Sequence, residues 1–170
     1  MMTGLSESAQ RLLITLCVSC TLAGCYSFTG GALPPHLRTV ALSPVVDNSG
    51  FGVPAYREYL VQRLLERFQR ETALQLVSGD ADARLSVQLQ SIREVTATVR
   101  PGERERERRL EIQLTAEFYD AVQRRTLWRR SFAWSELYDI SGGQAARDRA
   151  AFAALDALVE NIASAVLAFW

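Results

Sequence analysis

The sequence contains no lysine. All 19 of its cationic residues are arginine, and they balance 19 aspartates and glutamates to a formal net charge of zero. Without lysine there is no P-loop phosphate lysine, no Schiff base and no kinase-type phosphate contact. A single histidine, His36, excludes His-rich metal sites. Zero net charge argues against a general nucleic-acid binder, which would be basic. The nucleophile-elbow pattern G-x-S-x-G is also missing, and Gly50-Phe51-Gly52 is followed by Val53-Pro54-Ala55, without the third glycine of a dinucleotide fingerprint. Cysteine is confined to Cys17, Cys20 and Cys25, so no disulfide framework can staple the rest of the chain. What remains is ordinary for one globular domain: 170 residues, 48% hydrophobic and 9% aromatic.

The first 25 residues read as an address. Arg11 precedes an apolar or small stretch from Leu12 to Ala23, too short to span ~30 Å of hydrocarbon at ~1.5 Å per residue. Charge, a short apolar run and then small residues is the layout of a secretory signal. Its end, Leu22-Ala23-Gly24-Cys25, resembles the lipobox of bacterial lipoproteins. That resemblance implies diacylglyceryl transfer to the Cys25 thiol, cleavage before Cys25 and acylation, with palmitate for example, of the new amino group. Several acyl chains on one residue anchor stably where one does not. Residues 1–24 are thus expected to be a cleaved signal, 25–36 a lipidated tether, and 37–170 a single domain. Tyr26, rather than Asp, after the cysteine favours the outer membrane. Cys17-Val18-Ser19-Cys20 has redox or metal spacing, but it lies inside the apolar run without a second ligand pair.

Beyond the tether the periodicities alternate. Leu37 to Leu42 reads as a strand stopped by Pro44, and Asp47 to Gly52 as turn chemistry. Pro54 suits a first helical position. From Ala55 to Arg70, Tyr56, Leu60, Val61, Leu64 and Phe68 recur at steps of three and four, which predicts an amphipathic helix. Leu74 to Val77 reads as a short edge strand.

Odd positions Leu85, Val87, Leu89, Val95, Ala97 and Val99 between Arg84 and Arg100 are apolar; from Leu110 to Phe118 the even positions are. Period two predicts half-buried strands. A turn at Pro101-Gly102 sets Leu85 against Phe118, Val87 against Ala116 and Leu89 against Leu114, and a one-residue slip would spoil the shared face. A second hairpin at Val122 to Arg125 sets Phe118 against Trp128, Leu114 against Phe132 and Ile112 against Trp134, in a third strand running to about Tyr138. From Ala145 to Trp170 a long helix carries one seam of Phe152, Leu155, Val159, Ile162, Val166 and Phe169. The expected fold is an α+β two-layer sandwich in the order β-α-(β)-β-β-β-α. Its sheet is mainly antiparallel and four-stranded, five if Leu74 to Val77 pairs, with two amphipathic helices on one face.

No catalytic constellation emerges, no metal ligand set is assembled, and no cofactor is expected besides the covalent lipid on Cys25. Asp80 and Asp82 read as turn-formers, and His36 as a solvated tether residue. The cluster Arg100 to Arg109 is different in kind. By strand parity Arg104, Arg106 and Arg108 extend the apolar face while Glu103, Glu105 and Glu107 occupy the other. Arginine forks suit phosphate or carboxylate, so these three are candidate anion-binding residues, against a bland reading as solvated cross-strand pairs.

The order of the short motifs resembles the LptE family of lipopolysaccharide-assembly lipoproteins. Tyr26-Ser27-Phe28, then Leu33-Pro34-Pro35-His36-Leu37-Arg38-Thr39-Val40-Ala41-Leu42 with Pro44 and Asp47-Asn48, look like its opening. Phe118-Tyr119-Asp120, Leu127-Trp128 and the long terminal helix look like its end. Arg124 stands where the family commonly has glycine, and Val45-Val46 where an aromatic-Glu pair is usual. The resemblance implies a lipid-anchored, non-enzymatic protein on the periplasmic side of the outer membrane. It would plug the LptD β-barrel, bind lipopolysaccharide and help carry it to the outer leaflet; nucleic acid is not among the expected partners. The polar strand face of Gln88, Gln90, Gln113, Thr115 and Glu117 fits docking inside a barrel with a polar lumen. A second class of function, activation of a peptidoglycan synthase or service to a secretion pore by a similar lipid-anchored sandwich, is the alternative.

Overall fold

A computed structural model of the chain describes residues 34–71, 74–97 and 106–168. Six strands and two helices follow one another as β1 (Thr39–Leu42), β2 (Val46–Asp47), α1 (Pro54–Glu71), β3 (Gln75–Leu76), β4 (Ala83–Thr96), β5 (Glu107–Asp120), β6 (Arg125–Asp139) and α2 (Gly143–Leu167). Strand β6 and α2 are joined by a single 3₁₀ turn, Ile140–Gly142, in which the Asp139 carboxylate accepts from the Ser141 N–H at 2.7 Å.

The strands form an open mixed sheet in the order β3-β1-β4-β5-β6, with β2 pairing separately to β4. The long strands β4, β5 and β6 are antiparallel as expected, but the mainly antiparallel sheet of four or five strands is corrected to a mixed one of six: β1 runs parallel to both β3 and β4, and β2 runs parallel to β4. The cause is the crossover through α1. A strand followed by a helix that packs back on the sheet returns the chain in its original direction. Asp47, expected in a turn, also belongs to β2.

The two long hairpins follow the expected register. Leu85 pairs with Phe118, Val87 with Ala116 and Leu89 with Leu114. Phe118 then pairs with Trp128, Leu114 with Phe132 and Ile112 with Trp134. Two irregularities interrupt them: Leu127 is extra between the Phe118–Trp128 and Tyr119–Thr126 pairs, and Gln90 is extra between Leu89 and Ser91, after which the pairing resumes as Ser91 to Gln113 and Ile92 to Ile112. Such a bulge exchanges the two faces of everything beyond it. Ile92 therefore turns into the core, 6% exposed. Val95, expected on the core face, pairs with Arg109 on the opposite one. Ala97 shares that change of parity, and Val99 lies outside the described residues.

Both helices share one core with the inward side chains of the sheet. Tyr56, Leu60, Leu64 and Phe68, spaced by four, are the buried line of α1. Burying each contributes roughly 1.5–3 kcal/mol before entropy is subtracted. Helix α2 buries more than one seam. Leu155, Val159, Ile162 and Val166 are inside as expected, but so are Leu158 and the small residues Ala146, Ala150, Ala151, Ala154, Ala163 and Ala165. The helix is covered by the sheet on one side and α1 on another, and alanines let both approach. Phe152 is only partly buried, its ring 4.4 Å from Tyr59 and 5.8 Å from Tyr56, and Phe169 lies outside the described residues. Polar contacts rim the helix pair: the Tyr56 hydroxyl donates to Asp148, and Arg63 pairs with Asp156 at 2.7 Å.

Candidate functional site

The helices leave the other side of the sheet open. Register places its side chains in rows across three strands: Ser86, Glu117 and Arg129; Gln88, Thr115 and Ser131; Ser91, Gln113 and Ala133; Arg93, Glu111 and Ser135. Thr115 and Ser131 share a hydroxyl hydrogen bond of 3.3 Å, and Gln90 reaches back from the bulge to donate to Gln88 at 3.3 Å. Arg129 lies 3.9 Å from Glu117. A shallow depression of about 440 Å³ interrupts this face, lined by Ser91, Arg93, Glu111, Gln113, Ala133 and Ser135 with Trp134 alongside. Short hydroxyl and amide groups dominate, with charges of both signs at the ends of the rows. Such a surface makes hydrogen bonds to another polar wall without burying an unpaired charge.

A second polar site sits at the end of the sheet nearest the arginine-rich hairpin. The bulge at Gln90 turns Glu94 towards α2. There its carboxylate meets Arg147 at 3.5 Å and Arg108 at 3.4 Å, and accepts from the Tyr138 hydroxyl at 2.9 Å. Burial first, and then the bond to Glu94, raises the Tyr138 phenol above its ordinary pKa. A hollow of about 330 Å³ opens beside this cluster, lined by Glu94, Arg108, Tyr138, Ile140, Gln144 and Arg147. Arg147 also lies 3.8 Å from the Asp148 carboxylate, so the two guanidinium groups face two carboxylates.

The structure distributes the expected site residues unevenly. Arg108 does occupy the helix-side face, but as the ion-pair partner of Glu94 and not as an open fork. Arg106 is exposed, and its backbone carbonyl accepts from the Ile140 N–H at 2.9 Å, which ties the hairpin base to the turn before α2. Arg104 and Cys25 lie outside the described residues. Two sequence readings are corrected. His36 is not solvated: its Nε2 is 2.8 Å from a carboxylate oxygen of Asp120, the one fully buried acid among the described residues. Asp82 is no turn-former but a clasp, since a single oxygen accepts from the Arg38 and Thr39 N–H groups and the Thr39 hydroxyl at 2.9–3.0 Å. Those donors, Arg38 first, hold its carboxyl below the usual range. Among the described residues no three His, Cys, Asp or Glu side chains gather as metal ligands.

Glu94, Tyr138 and Arg147 went unseen in the sequence. The signal for them was present: Leu89 and Ile92 are apolar three residues apart inside a period-two strand, which is the spacing of a bulge.

A family model described as lipopolysaccharide-assembly, LptE, matches residues 37–168, from just before β1 to the end of α2. The chain belongs to the LptE family. Solved structures share the fold of this LptE member at low identity. A protein of Xanthomonas campestris superposes with a TM-score of 0.61 at 15% identity, covering 80% of this chain and 90% of its own. Lipoprotein B of Nitrosomonas europaea does so with 0.58 at 16%, covering 82% and 92%. A minor lipoprotein of Acinetobacter baumannii does so with 0.52 at 14%, covering 79% and 94%. No curated protein matches the chain.

Proposed function

We propose that this LptE-family protein is a non-enzymatic outer-membrane lipoprotein, anchored through lipid on Cys25 at the periplasmic side. It partners the LptD β-barrel as a plug and assists the passage of lipopolysaccharide to the outer leaflet. The observation that carries the reading is the division of the sheet. Two helices cover one face, while the other presents the rows centred on Gln88, Thr115 and Ser131 and on Ser91, Gln113 and Ala133. A barrel lumen is polar and its wall is hydrogen-bonded strand, so a flat polar sheet is a fitting counterpart. Family membership and the lipoprotein character of two of the structural relatives support the same reading. Arginines at the hairpin, Arg104, Arg106 and Arg108, would meet the phosphates of the lipid.

The test is extraction of outer membranes in detergent and capture through a tag after Trp170. A large β-barrel in the eluate is the expected result; a peptidoglycan synthase or a secretion pore without such a barrel would overturn the proposal. Replacing Arg104, Arg106 and Arg108 by Gln should weaken binding to lipopolysaccharide. Unchanged binding would return these residues to the solvated surface.

A further inference from the structure

One end of the sheet gathers the start of β1, the start of β4 and the turn between β5 and β6. Asp120 pairs with Ala83, and the Ala121 N–H donates to the Asp82 carbonyl at 2.8 Å. The Asp82 carboxylate in turn holds the Arg38 and Thr39 N–H groups, while His36 reaches Asp120. His36, the last residue of the expected tether, is therefore fixed against the β5–β6 turn.

That turn presents an apolar side chain beside arginines. Val122 is 56% exposed, more than any other large apolar residue of the described chain. The Asp120 carboxylate locks the turn by accepting from the Gln123 N–H. Arg124 is exposed and held at φ +54°, where glycine would sit more easily, and strain kept at an outward-facing side chain points to a use for it. Arg125, Arg38 and Arg84 are exposed on the neighbouring strand ends. Of the acids here, Asp82 and Asp120 are taken up by N–H groups and His36, which leaves Asp80 as the exposed one.

An apolar wedge among arginines suits an anionic lipid surface, which offers phosphates to the guanidinium groups and an acyl boundary to the wedge. Residues 25–33 span at most ~30 Å even when fully extended, which keeps this end close to a lipid on Cys25. The arginine-rich hairpin lies at the opposite end, about 45 Å away along the 14 residues of β4.

We propose that the β5–β6 turn rests on the leaflet that holds the Cys25 lipid. Val122 dips to the acyl boundary, and Arg124 and Arg125 contact phospholipid phosphates. The proposal rests on the anchored-plug reading above and orients it. The turn reaches the leaflet at the periplasmic rim of the barrel, and the β4–β5 hairpin points away from that leaflet.

The test uses the full chain, extracted in detergent and reconstituted into vesicles of phosphatidylethanolamine and phosphatidylglycerol. Flotation with the vesicles reports the anchor. A polarity-sensitive dye on Gln123→Cys reports the turn, since the Cys25 thiol is occupied by lipid. Its emission should shift to the blue and be quenched by spin-labelled lipid, whereas the same dye on Ser135→Cys, towards the other end of β6, should stay in water. Arg124→Gln combined with Arg125→Gln should weaken the contact on the order of tenfold, as should added salt, and Val122→Asp should abolish the blue shift. In outer membranes a benzophenone at Gln123→Cys should add to phospholipid. Circular dichroism should confirm that the variants fold. A chain left behind by floating vesicles would refute the anchor on which the proposal rests. A chain that floats with its Gln123→Cys dye in water, with equal quenching at both positions, or with no response to the arginine and Val122 variants would overturn the contact alone, as would a benzophenone adduct to protein only.

Discussion

The carboxylate of Asp120 ties the start of the described chain to the β5–β6 turn. It is fully buried, accepts from the Gln123 N–H at 2.8 Å on one oxygen and contacts His36 Nε2 at 2.8 Å on the other. Hydrogen bonds to a charged group contribute about 1.5–3 kcal/mol each. The His36 side chain is 29% exposed, so its bond counts near or below the low end. Asp120→Ala should therefore cost about 3 kcal/mol, and Asp120→Asn, which keeps an acceptor for Gln123, about half of that. At roughly 3 °C per kcal/mol for a chain of this size, the alanine variant should melt about 9 °C below the parent.

The pH dependence supplies a second reading from the same residue. Burial pushes the Asp120 carboxyl up, but the N–H groups of Gln123 and Val122 and the His36 ring outweigh it and hold the group below the usual carboxylate range. A depressed carboxylate contributes stability that is complete above its unfolded pKa of about 4 and is lost as pH falls through the folded value. The melting-temperature gap between parent and Asp120→Ala should thus be widest near neutrality and shrink in acid. Thermal melts followed by circular dichroism between about pH 7 and pH 3 measure it. A gap below 1 °C at neutral pH, or one that grows on acidification, would refute the account.

The bulge at Gln90 predicts that Ile92→Ala costs about 2–4 kcal/mol in urea unfolding while Val95→Ala costs under 1, the reverse of what an unbroken alternation requires. Arg124 adopts φ +54°, a left-handed backbone that favours glycine, so Arg124→Gly should raise the melting temperature by about 2–3 °C. The Tyr56 phenol is pushed up to about 12 by burial and by its bond to Asp148. Being raised, it contributes stability that is intact below about pH 10 and lost as pH climbs through 12. Alkaline titration of tyrosinate absorbance should show a late component, beyond the also raised Tyr59 and Tyr138 phenols, that Tyr56→Phe removes.

The long strands were legible because period two is written in single residues: one apolar position, one polar, and a register in which Leu85 meets Phe118 and a one-residue slip would spoil both faces. Of the short parallel strands, those at Leu37 to Leu42 and at the edge, Leu74 to Val77, were legible, but β2 was not: its two residues, Val46 and Asp47, carry no period. The direction of all three is set by where α1 returns the chain, which no local pattern encodes. The breadth of the α2 interface was hidden for a related reason. Alanine scores as filler on a helical wheel, yet Ala150, Ala151 and Ala154 are what permit two neighbours at once. His36 and Asp120 are separated by 84 positions, and a lone histidine gives no hint of a partner that far along.

The bulge had the largest consequence for the candidate site. An unbroken β4 would place Glu94 on the open face beside Arg109, away from Arg108 on the helix side. The inserted Gln90 instead brings Glu94 beneath Arg108 and Arg147, so any anion reaching Arg108 must compete with a carboxylate already 3.4 Å away. Arg108 is thereby drawn into holding β5, β6 and the first turns of α2 together. Arg106 is exposed, and its charge acts on the Asp139 carboxylate at the end of β6. For Arg108 to take part in the proposed contact with phosphate, it must first give up its fastening pair with Glu94.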